Sequence, residues 1–289
     1  MASDDSDRTQ SGRRLLDPSR PIGIFDSGFG GLTVARAVID LLPHEDLIYF
    51  GDTARNPYGP RPPEEVRRFA LEITDLLIDE GVKLVVVACN SAESTAFYEA
   101  TGRYDAPIVT VIEPGVKAAV AATRNRRIGM IGTVATVASK AYDKVVEATK
   151  ENVTFVSQAC PLFVDFVERG DTTSDELIGV AEDYLAPLKL EEIDTLILGC
   201  THYPLLTGVI RYVMGEDVLL VSSAETTAAD VFGRLKHEDL LNPSDHPGKH
   251  RFITTGREEP FGELGRRFLG SEFQQLERRP WTTAARVGS

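Results

Sequence analysis

Pro21-Ile-Gly-Ile-Phe-Asp26-Ser-Gly-Phe-Gly-Gly31-Leu-Thr33-Val reads as a short apolar run closed by an acidic residue, a glycine-rich turn, and then apolar residues at helical spacing over Leu32–Leu42. A strand passing through a tight turn into a helix is the first half of a βαβ unit, and the strand-like run Leu47–Phe50 completes it. The alternation continues outward. Further strand-like runs stand at Leu84–Ala88, Ile108–Ile112, Ile128–Ile131, Val153–Val156, Thr195–Leu198 and Val218–Val221, separated by helix-length segments such as Pro63–Glu80 and Ser174–Leu190. Eight strands in this order predict an α/β fold with mainly parallel sheets, because parallel neighbours need a crossover of helix length.

The strands recur in pairs. Gly23-Ile-Phe-Asp26 resembles Gly129-Met-Ile-Gly132 at an offset of 106, and Leu47–Phe50 matches Val153–Val156 at the same offset. Val86-Val-Ala-Cys89-Asn-Ser91 resembles Ile197-Leu-Gly-Cys200-Thr-His202 at 111, and 108–112 matches 218–222 at 110. The spacing therefore predicts two pseudo-symmetric, doubly wound lobes with an active site in the crevice between them. Residues 21–114 and 224–270 make the first lobe, to which a helix over Ala228–Leu235 and a strand at His250–Thr254 are added, and residues 115–223 make the second. Residues 1–20 read as a flexible polar extension and 271–289 as a C-terminal tail.

Bulk properties narrow the function. A chain of 289 residues can hold two cores of ordinary size. A net charge of -13 argues against direct nucleic-acid binding, which depends on Lys and Arg neutralising phosphates. No run approaches the roughly 20 apolar residues that cross a bilayer, and no signal-peptide core is present, so a cytoplasmic protein without a membrane partner is expected. The 3 Cys speak against a disulfide framework, and no Cys or His pair has zinc-ligand spacing, so no metal is expected.

Cys89 and Cys200 both stand where an apolar strand gives way to a polar helix start, the end of an open α/β sheet at which ligands bind. Alone, each could be a small core residue. At equivalent positions of two lobes they would face one another, and two facing thiols suit a reaction that removes a proton from one face of a carbon and returns one to the other. His202 is placed to assist Cys200, and Asp26 to assist Cys89. The Asp26–Gly31 turn could offer backbone N–H groups to a phosphate or carboxylate. A dinucleotide site would want a third glycine where Thr33 stands, although Asp52 lies at a suitable distance beyond it. Asn56-Pro-Tyr58-Gly59 is a turn-rich loop after the second strand. Cys160, before Pro161 and among Leu162, Phe163, Phe166 and Val167, reads as structural.

These motifs, with Tyr49-Phe-Gly-Asp52-Thr-Ala-Arg-Asn-Pro57-Tyr58-Gly59, Val87-Ala-Cys89-Asn90-Ser91-Ala92, Val111-Ile-Glu113-Pro-Gly115 and Leu198-Gly-Cys200-Thr201-His202-Tyr-Pro204, resemble those of glutamate racemases over about residues 21–270. The resemblance implies cofactor-independent interconversion of L- and D-glutamate, with D-glutamate going to peptidoglycan. It implies Cys89 acting on the D enantiomer with help from Asp26, and Cys200 acting on the L enantiomer with help from His202. Asp52 and Glu168 would be further acidic groups. Substrate contacts would come from Asp26, Ser27, Tyr58, Gly59, Asn90, Ser91, Thr201 and His202. A homodimer is implied, and a contact with DNA gyrase is a property of some relatives. Ser91 stands where the family usually has Thr, and Asp165-Phe166 where Pro and an aliphatic residue are usual.

Overall fold

The first lobe of the computed structural model, which describes residues 16–95 and 102–281, begins with β1 (Ile22–Asp26), α1 (Leu32–Leu41), β2 (Leu47–Gly51), α2 (Pro63–Asp79), β3 (Leu84–Val87), the single turn α3 (Asn90–Glu93) and β4 (Ile108–Thr110). The second runs through α4 (Ile112–Ala122), β5 (Arg127–Gly132), α5 (Val134–Ser139), α6 (Ala141–Thr149), β6 (Thr154–Ala159), α7 (Leu162–Glu168), α8 (Asp175–Leu190), β7 (Thr195–Gly199), α9 (Thr207–Met214) and β8 (Leu219–Ser222). The chain then forms α10 (Ser223–His237), β9 (His250–Thr254), α11 (Glu258–Leu269) and β10 (Gln275–Arg278).

Two sheets result, in the orders β10-β9-β2-β1-β3-β4 and β6-β5-β7-β8, and every pairing in both is parallel. The core β2-β1-β3-β4 of the first repeats as β6-β5-β7-β8 in the second. Ladder register refines the offsets: Gly23 faces Ile48 as Gly129 faces Val156, so the second pair of strands is offset by 108, while Val85 and Leu196 keep 111. Central strands β1, β3 and β7 are buried throughout, which is why they read as unbroken apolar runs. Each fully buried aliphatic side chain there contributes roughly 1.5–3 kcal/mol. Edge strands β6 and β8 are partly exposed.

Three expectations change. The strand foreseen over 108–112 stops at Thr110, because the Glu93 carboxylate takes the N–H groups of Val111 and Ile112, each at 2.9 Å, and starts α4 there instead. Residues 275–278, foreseen within a tail, form β10 beside β9, and Arg279 bridges Glu80 and Glu277 to hold that edge down. Close to the N-terminus, Leu16 packs against the core and the Pro18 carbonyl accepts a hydrogen bond from the buried Lys83 ammonium. Residues 1–15 and 282–289 of the foreseen extensions lie outside the described residues. β9 pairs with β2, and α10 packs along α1 while also touching α4.

Candidate active site

The carboxyl ends of the two sheets meet at a narrow cleft whose walls come from both lobes. Cys89 enters it from the residue pair after β3 and Cys200 directly after β7, so both thiols, each nearly buried, line one space from opposite sheets. Ser27, Tyr58, Gly59, Asn90, Ser91, Thr201 and His202 line the same cleft.

Asp26 ends β1 and is fully buried. Its Oδ2 accepts the Gly28 N–H at 3.0 Å, and its Oδ1 accepts the Thr201 hydroxyl at 3.3 Å, so one carboxylate shapes its own turn and reaches the opposite lobe. Burial pushes the Cys89 thiol up to about 12, the Asp26 charge adds to the rise, and hydrogen bonds from Ala92 and Ser27 oppose it. Cys89 is therefore held as a thiol.

Around Cys200 the charge pattern is opposite. His202 Nδ1 lies 3.7 Å from the Cys200 Sγ, and Nε2 lies 3.5 Å from Glu168 Oε1. Nε2 makes no aligned hydrogen bond, so Glu168 acts on the ring as a charge. Burial alone would lower the imidazole pKa, but Cys200, Glu168 and Asp26 outweigh it and raise it to about 10. Burial likewise opposes ionisation of Glu168, and contacts with His202 and Asn56 Nδ2, the latter at 2.6 Å, overcome it and keep the carboxyl below its ordinary value. An imidazolium beside Sγ is a charge partner for a thiolate. Because His202 binds its proton more tightly folded than unfolded, this contribution is complete below about pH 6.5 and lost as pH rises through about 10. The melting-temperature gap between the wild type and His202→Asn should accordingly narrow from pH 6.5 to 10, and a gap independent of pH would refute the charged histidine.

Gly28 gives its N–H to Asp26 itself, in an Asx turn. Gly30 is a close-approach position: a Cβ there would lie 2.5 Å from Thr201 Oγ1 and 2.6 Å from His202 Nδ1. Asp52 is not at the cleft surface. It is fully buried, Oδ2 accepting from Arg55 Nε and the Tyr58 hydroxyl, each at 2.5 Å, and Oδ1 from Thr255 Oγ1 at 2.9 Å and Trp281 Nε1 at 2.7 Å. With both oxygens twice engaged it is placed to orient Tyr58 rather than to exchange protons with substrate.

Two cleft features escaped the sequence reading. Thr133 lines the wall, 3.0 Å from Ser91 and 3.1 Å from Thr136, and caps α5. The offset of 106 that links Gly23 to Gly129 makes Thr133 the counterpart of Ser27, so the duplication held the signal. Tyr142 donates to Asn90 Oδ1 at 2.7 Å, leaving the buried Asn90 Nδ2 without a partner and available to an acceptor in the cleft. No local signal marked Tyr142.

Residues 32–231 match the family described as Asp/Glu/hydantoin racemase. The chain is 56% identical to a glutamate racemase of a Parafrankia species over 90% of its own length and 94% of the relative's. To a glutamate racemase of Mycobacterium tuberculosis it is 54% identical over 89% and 94%. Among solved structures, a glutamate racemase isoform from Bacillus anthracis superposes with a TM-score of 0.85 at 40% identity, covering 91% of this chain and 98% of that one. Glutamate racemase from Francisella tularensis in complex with D-glutamate gives 0.84 at 35% identity with the same coverage.

Proposed function

The chain belongs to the Asp/Glu/hydantoin racemase family, and from that membership we propose that it interconverts L- and D-glutamate without a cofactor, using Cys89 and Cys200 as paired proton donor and acceptor. The observation that carries the reading is the placement of two thiols in one cleft, each from the equivalent strand end of a repeated sheet. In the L-to-D direction the Cys200 thiolate, paired with the His202 imidazolium, takes the α-proton. The Cys89 thiol then delivers its own proton to the opposite face. The product leaves Cys200 as thiol and Cys89 as thiolate, and Asp26, whose charge disfavours that thiolate, favours its return to the resting form.

Amide and hydroxyl groups of Ser27, Asn90, Ser91 and Thr201 suit the carboxylates of the substrate, and Asp26 suits its ammonium. Tyr58 and Gly59 close the wall that measures side-chain length. Asp52 and Glu168 support the reaction through Tyr58 and His202 respectively. Supply of D-glutamate to peptidoglycan in the cytoplasm is the corresponding cellular role, and a homodimer is the expected assembly.

Incubation of L- and D-glutamate and of aspartate in deuterated water tests substrate and chemistry together, after dialysis against EDTA and hydroxylamine. Glutamate should exchange its α-proton and racemise, with aspartate slower by roughly 100-fold, since a shorter acid leaves buried polar groups unpaired. Equal rates on both acids would overturn the specificity, and activity restored only by a metal or by pyridoxal phosphate would overturn the two-thiol chemistry.

A further inference from the structure

We propose that Trp281, in the segment after β10, is a positioning residue for the cleft: through Asp52 it fixes Tyr58, so that this segment latches the wall of the active site. The inference rests on the racemase reading above and adds a residue outside both repeats.

The indole N–H donates to Asp52 Oδ1 at 2.7 Å, and the other oxygen of that carboxylate holds the Tyr58 hydroxyl at 2.5 Å. Tyr58 is itself buried and lines the cleft. The indole also covers the charge that balances Asp52. The Arg55 guanidinium lies between the Trp281 and Phe69 rings, 3.8 Å from each centroid, while its Nε donates to the carboxylate. Phe69 in turn packs on the Tyr58 ring at 5.6 Å. Removing the indole would thus unpair one lone pair of a fully buried carboxylate and open one face of its cation, and both changes reach Tyr58. The segment is anchored for this task by the β10–β9 pairing and by Arg279 on Glu80 and Glu277.

Trp281→Phe keeps a ring over Arg55 but has no N–H to give. It should raise KM for glutamate roughly 3- to 10-fold in both directions with kcat little changed, the scale of one ordinary hydrogen bond, since only part of the loss at Asp52 is passed on to Tyr58. In a Tyr58→Phe background, where Asp52 no longer holds a hydroxyl, the same substitution should change KM less than about twofold. An unchanged KM, or the full factor persisting in that background, would overturn the proposal. Trp281 is the chain's 1 tryptophan, which provides a readout independent of turnover. Tyr58→Phe should alter the intrinsic indole emission, and unaltered emission would overturn the coupling whether or not glutamate is the substrate. A wild type that fails to racemise glutamate would count against the racemase reading alone.

Discussion

Cys89→Ser and Cys200→Ser should each lose racemisation of glutamate by roughly 10²- to 10⁴-fold, the usual contribution of one positioned acid or base, because a serine hydroxyl is too weak an acid to give up and take back a proton as a thiol does. Inverting a stereocentre needs a group on each face, so one surviving thiol cannot substitute for the pair. Elimination from a glutamate analogue with a leaving group on its side chain needs only one base. Cys89→Ser should therefore still process the L analogue through Cys200, and Cys200→Ser the D analogue through Cys89. Cys160→Ser should leave both reactions nearly intact: that thiol is buried beside the Gln158 carbonyl and is not among the residues that line the cleft. Either cleft variant racemising near the wild-type rate, or both processing the same enantiomer, would refute the two-face mechanism.

The second large effect is expected from a single methyl group. Gly30→Ala should lower kcat by about 100-fold, the scale of a displacement near 1 Å in reacting groups. The new Cβ would sit 2.5 Å from Thr201 Oγ1, 2.6 Å from His202 Nδ1 and 2.9 Å from His202 Cε1, and both side chains are buried with little room to retreat. Moving Thr201 also breaks its hydrogen bond to Asp26, so both halves of the cleft are disturbed together. Gly28→Ala offers a control in the same turn, because its Cβ would meet Asn56 only at 3.4 Å, an ordinary contact. Steady-state rates in both directions, with melting temperatures, decide the matter. Wild-type kcat in Gly30→Ala would show that the close approach of the two lobes at this point is not required.

By itself the amino-acid sequence determined the architecture and the position of two cysteines at equivalent strand ends. Alternation of apolar strands with helical spacing is a local property, and a buried parallel strand such as Leu84–Val87 has no polar face to interrupt its run. Cys89 and Cys200 were legible because each follows its strand at once and the repeat pairs them, so symmetry conveyed what neither motif could alone. Even Thr133 was within reach, as the repeat partner of Ser27. What only the tertiary structure decided depends on contacts between residues far apart in the chain. Asp52 reads from the sequence as a further acidic group, and only the fold shows that Thr255 and Trp281, more than two hundred residues away, occupy one of its oxygens. Composition marks the first turn as glycine-rich, but that Gly30 is a clearance for His202, which arrives from the other sheet, depends on how the lobes meet. Strand β10 was invisible because a short, half-exposed edge strand bearing Glu277 and Arg278 has no apolar run of its own, and its place is set by the neighbour it pairs with. Periodicity records which face of an element is buried, whereas a buried charge takes its role from its partners, and those exist only once the chain has closed.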